Sequence, residues 1–94
     1  MAETRVTITH PAGLHARPAA LFVRTSAGFQ SAIQVRNLAR DAGRAADAKS
    51  ILSLMTLGVE HGHEIAITAE GPDEAEAITA LRQLVESDFG EQRS

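Results

Sequence analysis

Gly13-Leu14-His15-Ala16-Arg17-Pro18-Ala19-Ala20 joins a strand-like run to a helical one, and its reading decides how the rest of the chain is arranged. Upstream, Thr4 to Thr9 alternates, with Val6 and Ile8 on one side and Arg5 and Thr7 on the other, as a half-buried strand does. The breakers Pro11 and Gly13 close that run. Downstream, Ala19, Phe22, Val23 and Ala27 recur at helical spacing, and Gly28 is expected to stop the helix in the left-handed conformation. Pro18 suits a first helical turn, where its missing N–H would have no partner anyway, and it holds Arg17 extended. The cap therefore falls on His15, Ala16 or Arg17. Each choice sets His15 beside the open N–H groups and partial positive charge of a helix N-terminus, which favour an anion. An imidazole of ordinary pKa, about 6.5, is largely neutral and nucleophilic near neutral pH. Arg17 adds a planar donor fork suited to phosphate oxygens. The stretch reads as a phosphate-accepting site.

A second informative stretch is Ala48-Lys49-Ser50-Ile51-Leu52-Ser53-Leu54-Met55-Thr56-Leu57-Gly58. Ser50 is a good N-cap, and Ile51 to Leu57 follow as a short helix ended by Gly58. This helix is apolar almost all round. A two-layer domain buries only one side of it, so part of its apolar surface must face water, and such patches commonly mark docking surfaces.

With both stretches present in this order, the chain resembles the HPr family, the histidine-containing phosphocarriers of the bacterial sugar phosphotransferase system. The resemblance runs from about Thr4 to Phe89. It implies that His15 accepts a phosphoryl group on Nδ1, that Arg17 holds the phosphate electrostatically, and that Ser50 is a regulatory phosphorylation site. It also implies a partner-binding face of Ala16, Ala20, Arg24, Ile51, Leu52 and Met55. The partners implied are enzyme I, enzyme IIA domains and, through Ser50, an HPr kinase/phosphorylase and a transcriptional regulator. In that role the chain is a covalent intermediate between enzymes, with no cofactor or metal of its own and no substrate pocket. A regulatory branch, nitrogen-related or serving dihydroxyacetone kinase, is a rival within the same chemistry. A non-phosphorylated interaction domain of the same fold is a rival from another class, which the pairing of His15 with Arg17 argues against.

The remaining elements are legible from periodicity. Ile33 and Val35 alternate with Gln34 and Arg36 in a second strand, and a weaker third is expected between Arg44 and Ala48. Between them Leu38 to Gly43 forms a turn longer than the family usually has. Glu64 to Glu70 gives strand four. Asp73 and Glu76 are expected to form a capping box for a last helix whose apolar set is Ala77, Ile78, Leu81, Leu84 and Val85. The order is β-α-β-β-α-β-α, two amphipathic helices against the apolar face of an antiparallel sheet, an α+β arrangement. The resemblance implies an open-faced β-sandwich with sheet order 1-4-2-3.

Composition agrees. Ninety-four residues suit one domain, 1–94, and 17 of the apolar residues are alanine, a supply of larger side chains that fits two layers. Absence of cysteine excludes a disulfide framework and thiolate metal sites. The lack of a long apolar run points to a cytoplasmic protein with no membrane insertion. A net charge of −3 and only three aromatic residues argue against nucleic-acid binding. Basic residues nonetheless crowd between Arg17 and Lys49, which leaves a local positive surface. His10, His61 and His63 are expected to be solvent-exposed loop histidines, and the protein a monomer.

Overall fold

Strands and helices follow one another in the expected order in the computed structural model, which describes residues 1–11 and 13–90. The elements are β1 (Ala2–Thr7), α1 (Ala16–Ala27), β2 (Ala32–Asn37), β3 (Ala45–Asp47), α2 (Ile51–Met55), β4 (Glu64–Glu70) and α3 (Glu74–Glu86), followed by a 3-10 turn, Asp88–Gly90. The four strands form one antiparallel sheet in the order β1-β4-β2-β3. This is the 1-4-2-3 open-faced sandwich.

Val6, Ile33, Val35, Ile65 and Ile67 project from the sheet into the core, where α1 contributes Ala19 and Phe22 and α3 contributes Ala77, Leu81 and Val85. Phe22 is fully buried, and such a side chain contributes about 1.5 to 3 kcal/mol. The opposite face has no helical layer. There Ala66 lies opposite both Arg5 on β1 and Arg36 on β2 and is nevertheless buried, covered by long side chains instead of a second layer.

Several boundaries differ from the sequence reading for identifiable reasons. The first strand runs Ala2–Thr7 instead of Thr4 to Thr9, because its ladder matches β4 from Ala2 opposite Ala69 to Thr7 opposite Glu64, and there the partner strand begins. The short helix stops at Met55, with Thr56 as its C-cap and Gly58 in the left-handed region two residues on. The third strand shrinks to Ala45–Asp47, the three residues that pair with β2.

Gly28 is not left-handed: its φ is −74°, and its N–H donates to Thr25 O. Phe29 N–H donates to Ser26 O at 3.1 Å, so the helix leaves through tight turns that keep right-handed dihedrals. Nor do Asp73 and Glu76 form a capping box. Asp73 is the N-cap of α3, but its carboxylate makes no capping bond and instead accepts from Gln30 N–H at 2.8 Å and Ser31 N–H at 2.9 Å. Glu74 reaches back to accept from Gly71 N–H at 3.2 Å. Donors from the sequence-distant α1–β2 loop take the carboxylate in place of the local amide. The long turn between β2 and β3 resolves into two successive turns, closed by Arg40 N–H to Asn37 O at 3.3 Å and Arg44 N–H to Asp41 O at 3.1 Å.

Candidate functional site

Of the three possible caps, the structure selects His15. Its backbone is extended (φ −81°, ψ −168°), and its carbonyl accepts the first helical bond from Ala19 N–H at 2.9 Å. The imidazole makes no capping bond and is exposed. Pro18, two residues into α1, has no amide to leave unpaired, but it does not hold Arg17 extended, since Arg17 already lies within the helix.

The loop carrying His15 is clamped to the segment that follows α2. Leu14 is buried, and its N–H donates to Val59 O at 3.0 Å. Gly13 sits at φ +62°, and a Cβ there would run into Val59 O and come within 2.7 Å of Glu60 Cα. Both the dihedral and the close approach demand glycine.

A polar network supports this segment in turn. Asn37, 1% exposed at the end of β2, donates from Nδ2 to Leu57 O at 3.1 Å and accepts from Ala39 N–H on Oδ1 at 3.0 Å. Its Nδ2 lies 3.2 Å from His63 Nδ1, which also accepts from Glu60 N–H at 3.1 Å. A ring nitrogen accepting a main-chain N–H carries no proton, so the imidazole proton resides on Nε2. His63 is thus a half-buried structural residue, contrary to the expectation of an exposed loop histidine. His10 departs from it as well: it is buried, with its ring edge-on to Phe89 at 5.8 Å between centroids. Of the three, only His61 is exposed. Among the described residues no group of three His, Cys, Asp or Glu side chains could hold a metal.

His15 and Leu14 form one wall of a depression of about 300 Å³, faced by Met55, by Gly58 to Glu60 and by Arg40. Arg17 is exposed on the first turn of α1. Ala16, Ala20 and Arg24, each four residues apart, are all exposed and lie on one helical face. On α2, which packs against α1, Leu52 is 75% and Met55 41% exposed. Ile51 is half-buried against the core, because the first residue of this short helix turns toward it. Met55 belongs both to the exposed apolar patch and to the wall around His15, and so makes the two continuous. Ser50 caps α2, its Oγ accepting from Ser53 N–H at 3.3 Å. Beside it, Lys49 Nζ donates to Phe29 O at 2.8 Å.

Sequence reasoning missed Arg40, Asn37 and His63. Arg40 lies in a turn without periodicity. An isolated Asn at a strand end and a His in a loop give no pattern that foretells a shared hydrogen-bond network.

Comparison with known proteins places this geometry in context. A family profile described as PTS HPr component phosphorylation site matches residues 2–87. The chain is 39% identical over 92 residues to the phosphocarrier protein HPr of Treponema pallidum, covering 98% of this chain and 100% of that protein. It is 44% identical over 79 residues to the multiphosphoryl transfer protein of Vibrio cholerae; the match covers 84% of this chain but spans only 20% of that longer protein. Among solved structures, HPr-C-His from Thermoanaerobacter tengcongensis superposes with a TM-score of 0.91 at 47% identity, covering 99% of this chain and 100% of the other. A phosphocarrier protein HPr from Bacillus anthracis gives a TM-score of 0.81 at 39% identity, covering 89% and 95%.

Proposed function

The chain belongs to the HPr family of phosphotransferase-system phosphocarriers, and from that membership we propose that it carries a phosphoryl group on His15 between enzyme I and enzyme IIA domains of sugar transporters. The observation that carries this reading is the exposed imidazole of His15 at the N-cap of a twelve-residue helix, free of any capping bond.

In the proposed step the Nδ1 lone pair attacks phosphorus, and the N–P bond forms as the bond from phosphorus to the donor breaks. The donor leaves with its electron pair. Transfer to the acceptor repeats the exchange in the opposite sense. Charge on the three equatorial oxygens needs donors at fixed positions, and little else is asked of the protein. The N-terminal end of α1 and the guanidinium of Arg17 supply them. Helix-end stabilisation is modest, about 0.3 to 1 kcal/mol and up to about 2. A carrier that bound its phosphoryl group much more tightly would not release it.

Ala16, Ala20, Arg24, Ile51, Leu52 and Met55 form the docking face in this reading. The exposure of Leu52 and of Met55, the latter lining the same depression as His15, supports it, since transfer between proteins needs a dry apolar collar around the phosphoryl group. Ser50 is the regulatory position, read by a dedicated kinase; phosphate there would suit the N-terminus of α2 while adding an anion beside the apolar patch. Residues 1–94 act as one cytoplasmic domain, consistent with the absence of any described helix long and apolar enough to cross a membrane. The expected monomer draws no support from solved relatives, one of which is an HPr dimer from Thermoanaerobacter tengcongensis at 48% identity with a TM-score of 0.74, covering 97% of this chain and 100% of the other.

Incubation with enzyme I, magnesium and phosphoenolpyruvate, followed by intact mass measurement, tests the reading. One acid-labile phosphate adduct on the wild type and none on His15→Ala is expected. An adduct on His15→Ala would place the acceptor elsewhere.

A further inference from the structure

We propose that Arg40, carried on the long turn between β2 and β3, is a second guanidinium of the phosphoryl site and contacts the oxygens of a phosphoryl group held on His15. The proposal rests on the reading of His15 as the acceptor and adds to it a residue from a different part of the chain.

Three observations carry it. Arg40 lines the same depression as His15, together with Met55 and the Gly58 to Glu60 segment. Its side chain has a built seat. Gly58 stands at φ +61°, and a Cβ on it would lie 2.5 Å from one terminal nitrogen of Arg40, so the tip of the guanidinium occupies space that only a glycine leaves open. Finally, Arg40 forms no ion pair with a carboxylate among the described residues, although it is exposed and Asp41 is its neighbour in sequence.

The supporting turn is itself held in place. Arg40 N–H bonds Asn37 O, Ala39 N–H bonds Asn37 Oδ1, and Asn37 bonds Leu57 O just before Gly58. The same asparagine therefore positions the arginine and the backbone it lies on. A planar guanidinium offers two parallel donors to tetrahedral phosphate oxygens, a geometry that lysine lacks. Glu60 also borders the depression, and a carboxylate there opposes an incoming anion unless a cation balances it. Arg40 supplies that balance opposite the helix N-terminus, so the phosphoryl group is held from two sides.

The test compares wild type, Arg40→Ala, Arg40→Lys and Arg44→Ala in single-turnover transfer from phosphorylated enzyme I. Side-chain Nε–H resonances of the arginines are followed by NMR before and after phosphorylation. Arg44, which borders only the adjoining depression, controls for loss of charge alone. Arg40→Ala is expected to slow transfer by about tenfold, the effect of losing one charge-assisted hydrogen bond in a partly solvated site, with Arg40→Lys between it and wild type. Arg44→Ala should transfer at the wild-type rate, and the Arg40 Nε–H resonance alone of the two should move on phosphorylation. An unmoved Arg40 resonance, or equal slowing in Arg40→Ala and Arg44→Ala, overturns the proposal. A wild type that takes no phosphate on His15 instead overturns the reading beneath it.

Discussion

Ser31 donates both its amide and its hydroxyl to one oxygen of Asp73, Oδ1, at 2.9 and 2.5 Å, which ties the loop after α1 to the start of α3. The Ser31 hydroxyl first, and then the Gln30 amide, hold the Asp73 carboxyl below the ordinary aspartate value of 3.8. A carboxylate with a depressed folded-state pKa contributes stability that is complete above its unfolded value and is lost as pH falls through the folded one. Thermal melts of wild type and Asp73→Asn between about pH 7 and about pH 2 should therefore differ most at neutral pH and converge in acid. A gap that stays constant over that range would show that the charge of Asp73 contributes nothing.

Gly13→Ala should destabilise the fold by more than about 1 kcal/mol, since it combines a left-handed φ with a collision against the Val59–Glu60 backbone. Phosphoryl transfer should suffer more than stability does, because the clamp that sets the position of His15 is what gives way. Urea denaturation and transfer rates measured on the same preparation check both parts. A stable variant with normal transfer would show that the loop shifts without consequence.

Arg17→Ala should leave the melting temperature within about 1 °C of wild type, as expected for an exposed side chain away from the core. Transfer to and from partners should slow. Equal rates in both directions would reduce Arg17 to a bystander and leave the helix terminus as the main stabiliser.

Docking should depend on Leu52 and Met55 far more than on Ile51. Burying an apolar side chain of this size at an interface contributes about 1.5 to 3 kcal/mol, so Met55→Glu should weaken enzyme I binding by about tenfold or more. Its own stability should hardly change at 41% exposure, whereas a charge at half-buried Ile51 should lower the melting temperature. Titration of labelled protein with enzyme I, paired with melts, separates the two. Normal affinity in Met55→Glu would place the docking face elsewhere.

What could be read in advance follows the kind of signal each residue emits. Alternation and helical spacing announced β1, β2, β4, α1 and α3, because those periods arise from one-sided burial, whereas α2, apolar almost all round, was announced by the capping side chain of Ser50 and the short β3 only weakly. The stretch around His15 declared a helix start, though only the tertiary clamp on Leu14 and Gly13 settled which residue caps it. Asp73 misled because its sequence environment offered a local amide, while the stronger donors sit 42 and 43 residues away in the chain. Asn37 and His63, 26 residues apart, were silent for the same reason. A hydrogen bond between distant segments leaves no period, and Arg40, on an irregular turn, could be placed near His15 only once Gly58 was seen beneath it.

Strand β4 pairs with both β1 and β2, and these two do not pair with each other. As the chain leaves the ribosome, β1 therefore has no neighbour to join until residues 64–70 have emerged, more than fifty positions later. Only the small pairing of β2 with β3 can form before then. Closing so large a loop costs entropy before the contacts it permits can repay it, which makes arrival of β4 the step on which the whole sheet waits. Nascent chains halted ahead of β4 should therefore expose apolar strand faces to chaperones, and the sheet closes only once that strand arrives.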